Sequence, residues 1–205
     1  ARELARQGAD LVLAARREDR LKALEAEIAA LGRKALAVAG DVTRDGDMDG
    51  VVAAAREKPG GLDVVVANAG FGVAGRLQDL SIEDYRRQFE TNFFGVLRTI
   101  YAALPELVKR KGQLAVIGSV SGHVPTAGMS GYCSSKFAVR GLVESLHDEL
   151  STQGVGCTLI SPGFVESDLR TTDNKGVHHA DKKDPVPAWL VLSSTKAAKQ
   201  IARAI

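Results

Sequence analysis

Short apolar runs, each followed by a longer stretch with helical spacing, recur along this chain and restrict it to alternating strands and helices. Residues 9–15, 35–39, 62–67, 114–117 and 155–160 are the runs, all rich in Val, Leu and Ala as strands buried on both faces should be. Between them lie helical patterns. Residues 18–31 place Leu21, Leu24, Ile28 and Leu31 on one face, with Gly32 as the stop. A helix of about a dozen residues follows Asp45, and Pro59-Gly60-Gly61 closes it. Ser81 reads as a helix N-cap, with Asp84 at the third helical position. The stripe Ile82, Tyr85, Phe89, Phe93, Val96, Ile100 and Leu104 then predicts one continuous helix to about Lys111. Residues 130–152 form a second long helix with Ala138, Leu142, Leu146 and Leu150 on one face, and residues 194–205 a last one. Strand-helix alternation of this kind predicts an α/β fold with a doubly wound parallel sheet.

Composition narrows the function. The 205 residues suit a single domain, and a formal net charge of +2 sets up no field that implies nucleic acid or a membrane surface as partner. No apolar run is long enough to span a bilayer, and the first residues carry no signal-peptide core. The two cysteines, Cys133 and Cys157, make neither a disulfide framework nor a zinc site, which fits a reducing compartment, the cytoplasm. Doubly wound sheets ordinarily open with a strand, a glycine-rich turn and a helix N-terminus that cradles pyrophosphate. This sequence contains no such opening and no strand after the last helix. The expectation is a fragment, or the ordered part, of a longer protein shortened at both ends, whose pyrophosphate ligands this sequence does not contain.

The chemistry-bearing residues follow the strands. Tyr132 and Lys136, in Tyr132-Cys133-Ser134-Ser135-Lys136, share a helix face one turn apart. A neighbouring ammonium favours the tyrosine anion and would bring a phenol of ordinary pKa about 10 toward working pH. Ser119, in Gly118-Ser119-Val120-Ser121-Gly122, closes the fourth strand, where active residues of open α/β sheets gather. Asn92 interrupts an otherwise apolar helix face. Each of these signals is weak alone: a strand-end serine forms turns, and Tyr-x-x-x-Lys is common on solvated helices.

Asp41 after a strand, Asn68-Ala69-Gly70, Asn92, Ser119, Tyr132 with Lys136, and Pro162-Gly163 form one ordered set. With it the chain resembles the short-chain dehydrogenase/reductase family of the compact type, over essentially its whole length. The resemblance implies a Rossmann-like catalytic domain that moves hydride between a nicotinamide cofactor and a carbonyl or alcohol. It implies that Tyr132 exchanges the substrate proton and Ser119 bonds the reacting oxygen. Lys136 would bind nicotinamide ribose and lower the Tyr132 pKa, and Asn92 would support a water relay. It further implies that Asp41 meets the adenine amine, that Asn68, Ala69 and Gly70 lie along the adenosine ribose, and that Val165 and Ser167, after Pro162 and Gly163, meet the carboxamide. Relatives often carry a second asparagine where Ala67 stands and threonine where Ser167 stands; Ser167 keeps the hydroxyl.

The first strand discriminates between cofactors. An acid at its end would bond the ribose 2′-hydroxyl, whereas arginine pairs with a 2′-phosphate. Here Ala15 takes the acid's place and Arg16-Arg17 follow, so charge favours NADP(H) with Arg16 as ligand. The polar loop from Phe164 to Trp189 is expected to be a lid over substrate, with His123, Val124 and Met129 as further contacts. The resemblance also implies a homodimer or homotetramer built on the two long helices. Two alternatives stay open: an epimerase or dehydratase of the same superfamily, and a dinucleotide-binding regulator without turnover. Asp45-Gly46-Asp47-Met48-Asp49-Gly50 opens like a calcium loop, but Arg56 stands where its bidentate glutamate belongs, so these acids are read as the start of a helix. No metal site is expected; the histidine pair 178–179 is read as surface.

Overall fold

The computed structural model describes every residue except 58–60, 175, 176, 178, 180, 182, 183 and 185. It is an α/β fold in which, among the described residues, the strands pair in parallel. Strands β1 (Leu11–Ala15) and β2 (Ala35–Ala39) form one sheet; β3 (Val64–Ala67), β4 (Gln113–Ile117) and β5 (Gly156–Ile160) form another, in the order β3-β4-β5. In register, Val64 faces Gln113 and Ala67 faces Val116, while Ile117 faces Ile160. These carboxyl ends therefore line up at one edge of the sheet, the edge on which the site is built.

The helices are α1 (Arg2–Arg6), α2 (Glu18–Ala30), α3 (Asp47–Arg56), α4 (Ile82–Phe89), α5 (Gly95–Arg110), α6 (Ser130–Ser151) and α7 (Ser194–Arg203). Helix α2 starts with Glu18 and Asp19, whose charges suit the positive helix start, and ends before Gly32, whose φ of +76° closes it as the sequence predicts. Asp47 and Asp49 occupy the first turn of α3 and Asp45 pairs with Arg98 at 2.6 Å, so the acids of the calcium-like motif serve the helix and its packing. The closure expected at Pro59-Gly60 lies outside the described residues. Ser81 caps α4 with a full capping box: its hydroxyl accepts from the Asp84 amide and the Asp84 carboxylate accepts from its own.

The larger core joins α3, α5 and α6 to the three-stranded sheet through Val96, Ile100, Leu107, Leu114, Val116, Val139 and Val143. A smaller one closes α1, β1 and α2 around Ala5, Leu13, Leu21 and Ile28. Among the described residues no helix is long and apolar enough to cross a membrane.

Three helix readings change. The helix expected from Ile82 to Lys111 is interrupted by a π turn at Glu90–Phe94, which adds a residue to the turn and shifts the faces before and after it. Ile82 begins the helix and is 69% exposed, so it lies off the core stripe. On α6 Leu150 is buried as expected and Leu142 and Leu146 pack partly buried against the core, but the deepest apolar side chains before it are Val139 and Val143, so the buried seam is centred one residue beyond the Ala138-Leu142 line.

Candidate functional site

Helix α6 brings Tyr132 and Lys136 into the interior on successive turns, 9% and 6% exposed. Ser119 meets them from the end of β4. It caps a 3-10 turn, its Oγ accepting from the Ser121 amide at 3.1 Å, and its hydroxyl acts on the Tyr132 phenol by favouring the phenolate. The Lys136 Nζ donates to the Ile117 carbonyl at 2.8 Å and stands 5.9 Å from the centroid of the Tyr132 ring. Ser119, Tyr132 and Lys136 thus form one cluster.

The electrostatics depart from the expectation. Burial pushes the Tyr132 phenol above its ordinary value, the Ser119 hydrogen bond only partly opposing it. Burial also lowers Lys136 to about 8. Burial of the phenol dominates its shift, and burial alone sets that of the lysine. Tyr132 is held protonated at neutral pH.

Asn92 sits in the π turn, fully buried. Its Oδ1 accepts from the Phe71 amide at 3.0 Å, and its Nδ2 donates to the Phe71 carbonyl at 3.0 Å and to Ser135 Oγ at 3.2 Å. Ser135 in turn donates to the Tyr132 carbonyl at 2.7 Å. Asn92 therefore reaches the cluster through backbone and Ser135 rather than by lining the cavity. Gly70 runs so close that an added Cβ would lie 3.1 Å from Asn92 Oδ1 and 3.9 Å from Lys136 Nζ, so a side chain there would require the Asn92 amide to shift.

A cavity of about 1160 Å³ opens along the carboxyl ends of the strands. Its lining includes Tyr132, Lys136 and Ser119 with Pro162, Gly163, Val165 and Ser167. Asn68, Ala69 and Gly70 line it too, as do Asp41, Arg16 and Arg17. Val12, Met48 and Val65 are also on its wall. His123, Val124 and Met129 do not line it. His123 instead meets Ser161 Oγ at 2.9 Å.

Asp41 is half-buried, which opposes its ionisation. Hydrogen bonds from the Thr43 amide and hydroxyl, at 3.0 and 2.8 Å, and the charges of Arg16 and Arg44 outweigh that and hold its carboxyl below the ordinary value. Both Thr43 bonds fall on Oδ1. Arg16 and Arg17 are exposed, and neither makes an ion pair among the described residues.

The expected lid is pinned at several points. Val165 bridges Leu192, and Arg170 holds Asp184 through three bonds at 2.8, 2.9 and 2.5 Å. Asp168 pairs with Arg20 on α2 at 3.1 Å. Asn174 clamps Ala74, accepting from its amide at 3.0 Å and donating to its carbonyl at 2.8 Å. Of the histidine pair, His178 lies outside the described residues, and His179 meets Asp173 at 2.9 Å.

One buried amide escaped the sequence reading. Gln88, fully buried at the end of α4, accepts from the Val73 amide at 2.6 Å and donates to the Phe71 carbonyl at 2.8 Å. Nothing in Arg86-Arg87-Gln88 signals this, since the stretch reads as a solvated helix face.

With the geometry in view, comparison with known proteins is direct. The family model described as short chain dehydrogenase matches residues 1–178. An uncharacterized oxidoreductase of Myxococcus xanthus is 40% identical over 215 residues, covering 96% of this chain and 84% of its own. The fold is similar to an alcohol dehydrogenase from the archaeon Thermococcus sibiricus, complexed with 5-hydroxy-NADP, with a TM-score of 0.85 at 30% identity over 98% of this chain and 81% of that one. It is also similar to a short chain dehydrogenase/reductase from Burkholderia phymatum in complex with NAD, with a TM-score of 0.80 at 27% identity, covering 99% and 72%.

Proposed function

Because this chain belongs to the short-chain dehydrogenase family, we propose that it is an oxidoreductase acting between NADP(H) and a small carbonyl or alcohol substrate. One observation carries the reading: Ser119, Tyr132 and the buried Lys136 line the same cavity as Asp41 and Arg16.

The residues present fit a dinucleotide. Asp41 keeps Oδ2 clear of the Thr43 bonds, where it would accept from an adenine amine. Asn68, Ala69 and Gly70 would follow the adenosine ribose, and Pro162, Gly163, Val165 and Ser167 would flank the carboxamide. Arg16, with Arg17 beside it, would take a 2′-phosphate, and two exposed guanidinium groups on the lining of this cavity support NADP(H). When bound, the nicotinamide supplies or accepts the hydride.

In the reducing direction a C–H bond forms at the carbonyl carbon, the π electrons move to oxygen, and that oxygen takes the Tyr132 proton. The raised phenol pKa suits this role, since it keeps the proton in place at neutral pH. Ser119 would share the developing negative charge by a second hydrogen bond. Lys136 would hold ribose hydroxyls and place positive charge near the phenolate left behind. Asn92 would act by fixing Phe71 and Ser135 around this cluster. Exposed Phe94 and Tyr101, on one side of the π turn and α5, support self-association there.

The test is a panel of ketones, aldehydes and secondary alcohols with NADPH or NADP, followed by the absorbance of reduced nicotinamide. Turnover on at least one pair, with NADH poorer than NADPH, is expected. Product formed without net change in nicotinamide would favour the epimerase or dehydratase alternative, and cofactor binding without any product the regulator.

A further inference from the structure

Two buried amides, not one, grip the loop that leaves β3. Asn92 engages Phe71 by its amide and carbonyl. Gln88 takes the same Phe71 carbonyl as an acceptor and reaches past it to the Val73 amide. Residues 71–73 are thereby held at both ends against α4. Between them lies Gly72, and a Cβ built there would touch the Tyr132 ring at 3.6 Å, so the Gly72 backbone lies against the phenol. Val73, fully buried, packs against Gly131, where an added Cβ would meet it at 3.7 Å. One turn back from Gln88, Tyr85 hydrogen-bonds Ser130 at the start of α6 at 2.6 Å. Helix α4 therefore presses this loop onto the first turn of α6.

We propose that Gln88 is a positioning residue: by bridging Phe71 and Val73 it seats Gly72 on the Tyr132 ring and so sets the direction of the phenol toward Ser119. Gln88 touches neither the cavity nor the Tyr132 hydroxyl; its effect runs through three residues of backbone. An unbridged loop would lift from the ring, admit water beside it and leave the phenol several rotational settings. An amide suits the place because one side must accept from an N–H and the other donate to a carbonyl, a pairing that no apolar side chain supplies. The inference rests on the reductase reading for its importance, but its geometry stands apart from turnover.

The experiment uses isotope-labelled tyrosine Cζ in the full chain. There are three tyrosines, Tyr85, Tyr101 and Tyr132, and Tyr132→Phe assigns the third signal. Gln88→Leu fills the space without either bond. It is expected to displace the Tyr132 signal, to leave exposed Tyr101 in place, and to lower the Tyr132 titration midpoint by roughly half a pH unit as the ring gains water. Gln88→Glu is the rescue arm: its protonated carboxyl reproduces both bonds, so the wild-type Tyr132 signal returns at acid pH and departs as the carboxyl ionises. This arm decides the matter if Gln88→Leu does not fold. An unmoved Tyr132 signal in Gln88→Leu, equal movement of all three tyrosines, or a Gln88→Glu signal without pH dependence overturns the proposal. No arm requires activity, so a wild-type protein that turns over nothing would sink the reductase reading and leave this result to stand or fall separately.

Discussion

The Lys136 ammonium donates to the Ile117 carbonyl across 2.8 Å, tying the first turns of α6 to the last residue of β4. That bond and the Tyr132 ring face at 5.9 Å offset only part of the cost of burying a cation with 6% exposure, and burial lowers its pKa to about 8. Below pH 8 both folded and unfolded chains carry the proton, and the cost of burying the charge is constant. Between about 8 and the ordinary lysine value near 10.4 the unfolded chain binds more protons than the folded one, so stability rises with pH through that window. It levels off above it. The gain is of order 3 kcal/mol at most, from about 1.4 kcal/mol per pH unit. Urea unfolding at a series of pH values should show this rise, and Lys136→Met should flatten it.

Arg16 offers a different test, of cofactor choice. Replacing it with aspartate removes a phosphate ligand and puts a carboxylate where it would repel the 2′-phosphate and accept from a 2′-hydroxyl. Charge-assisted hydrogen bonds of this kind contribute about 1.5–3 kcal/mol, so NADPH affinity should fall roughly tenfold to a hundredfold while NADH affinity holds or improves. Fluorescence titration with each nucleotide measures both. Equal losses for both nucleotides would remove Arg16 from the 2′-phosphate site.

Gly122 supports the site from below. A methyl group there would lie 2.7 Å from the Lys136 carbonyl oxygen, a backbone atom that moves only if α6 moves. Gly122→Ala should cost about 1–3 kcal/mol by overpacking, read as a lower urea midpoint. Since the displaced turn carries Lys136, NADPH affinity should fall with it.

The strands were legible because each is a short, mostly apolar run between helical stretches; Val64-Val65-Val66-Ala67 admits no other reading in this context. The candidate site residues stand out by their order, and those expected to hold the cofactor line one cavity. What remained hidden depends on contacts far apart in sequence or on burial. The π turn at Glu90–Phe94 leaves the apolar residues at helical spacing, so the extra residue makes no break in the pattern. Gln88 sits among arginines and shows its role only against Phe71 and Val73. Asn174 meets Ala74 across a hundred residues. The upward push on Tyr132 is a desolvation effect that charge spacing on one helix cannot reveal.

Tyr132→Phe tests the account most directly, since it removes one hydroxyl from the cluster and keeps the ring against Gly72. Reduction of a responsive carbonyl by NADPH should fall by about a thousandfold in kcat, within the usual span for a lost general acid, while the NADPH dissociation constant stays near the wild-type value. Wild-type turnover in the phenylalanine variant would contradict the proton-donor role of Tyr132 and the mechanism built on it.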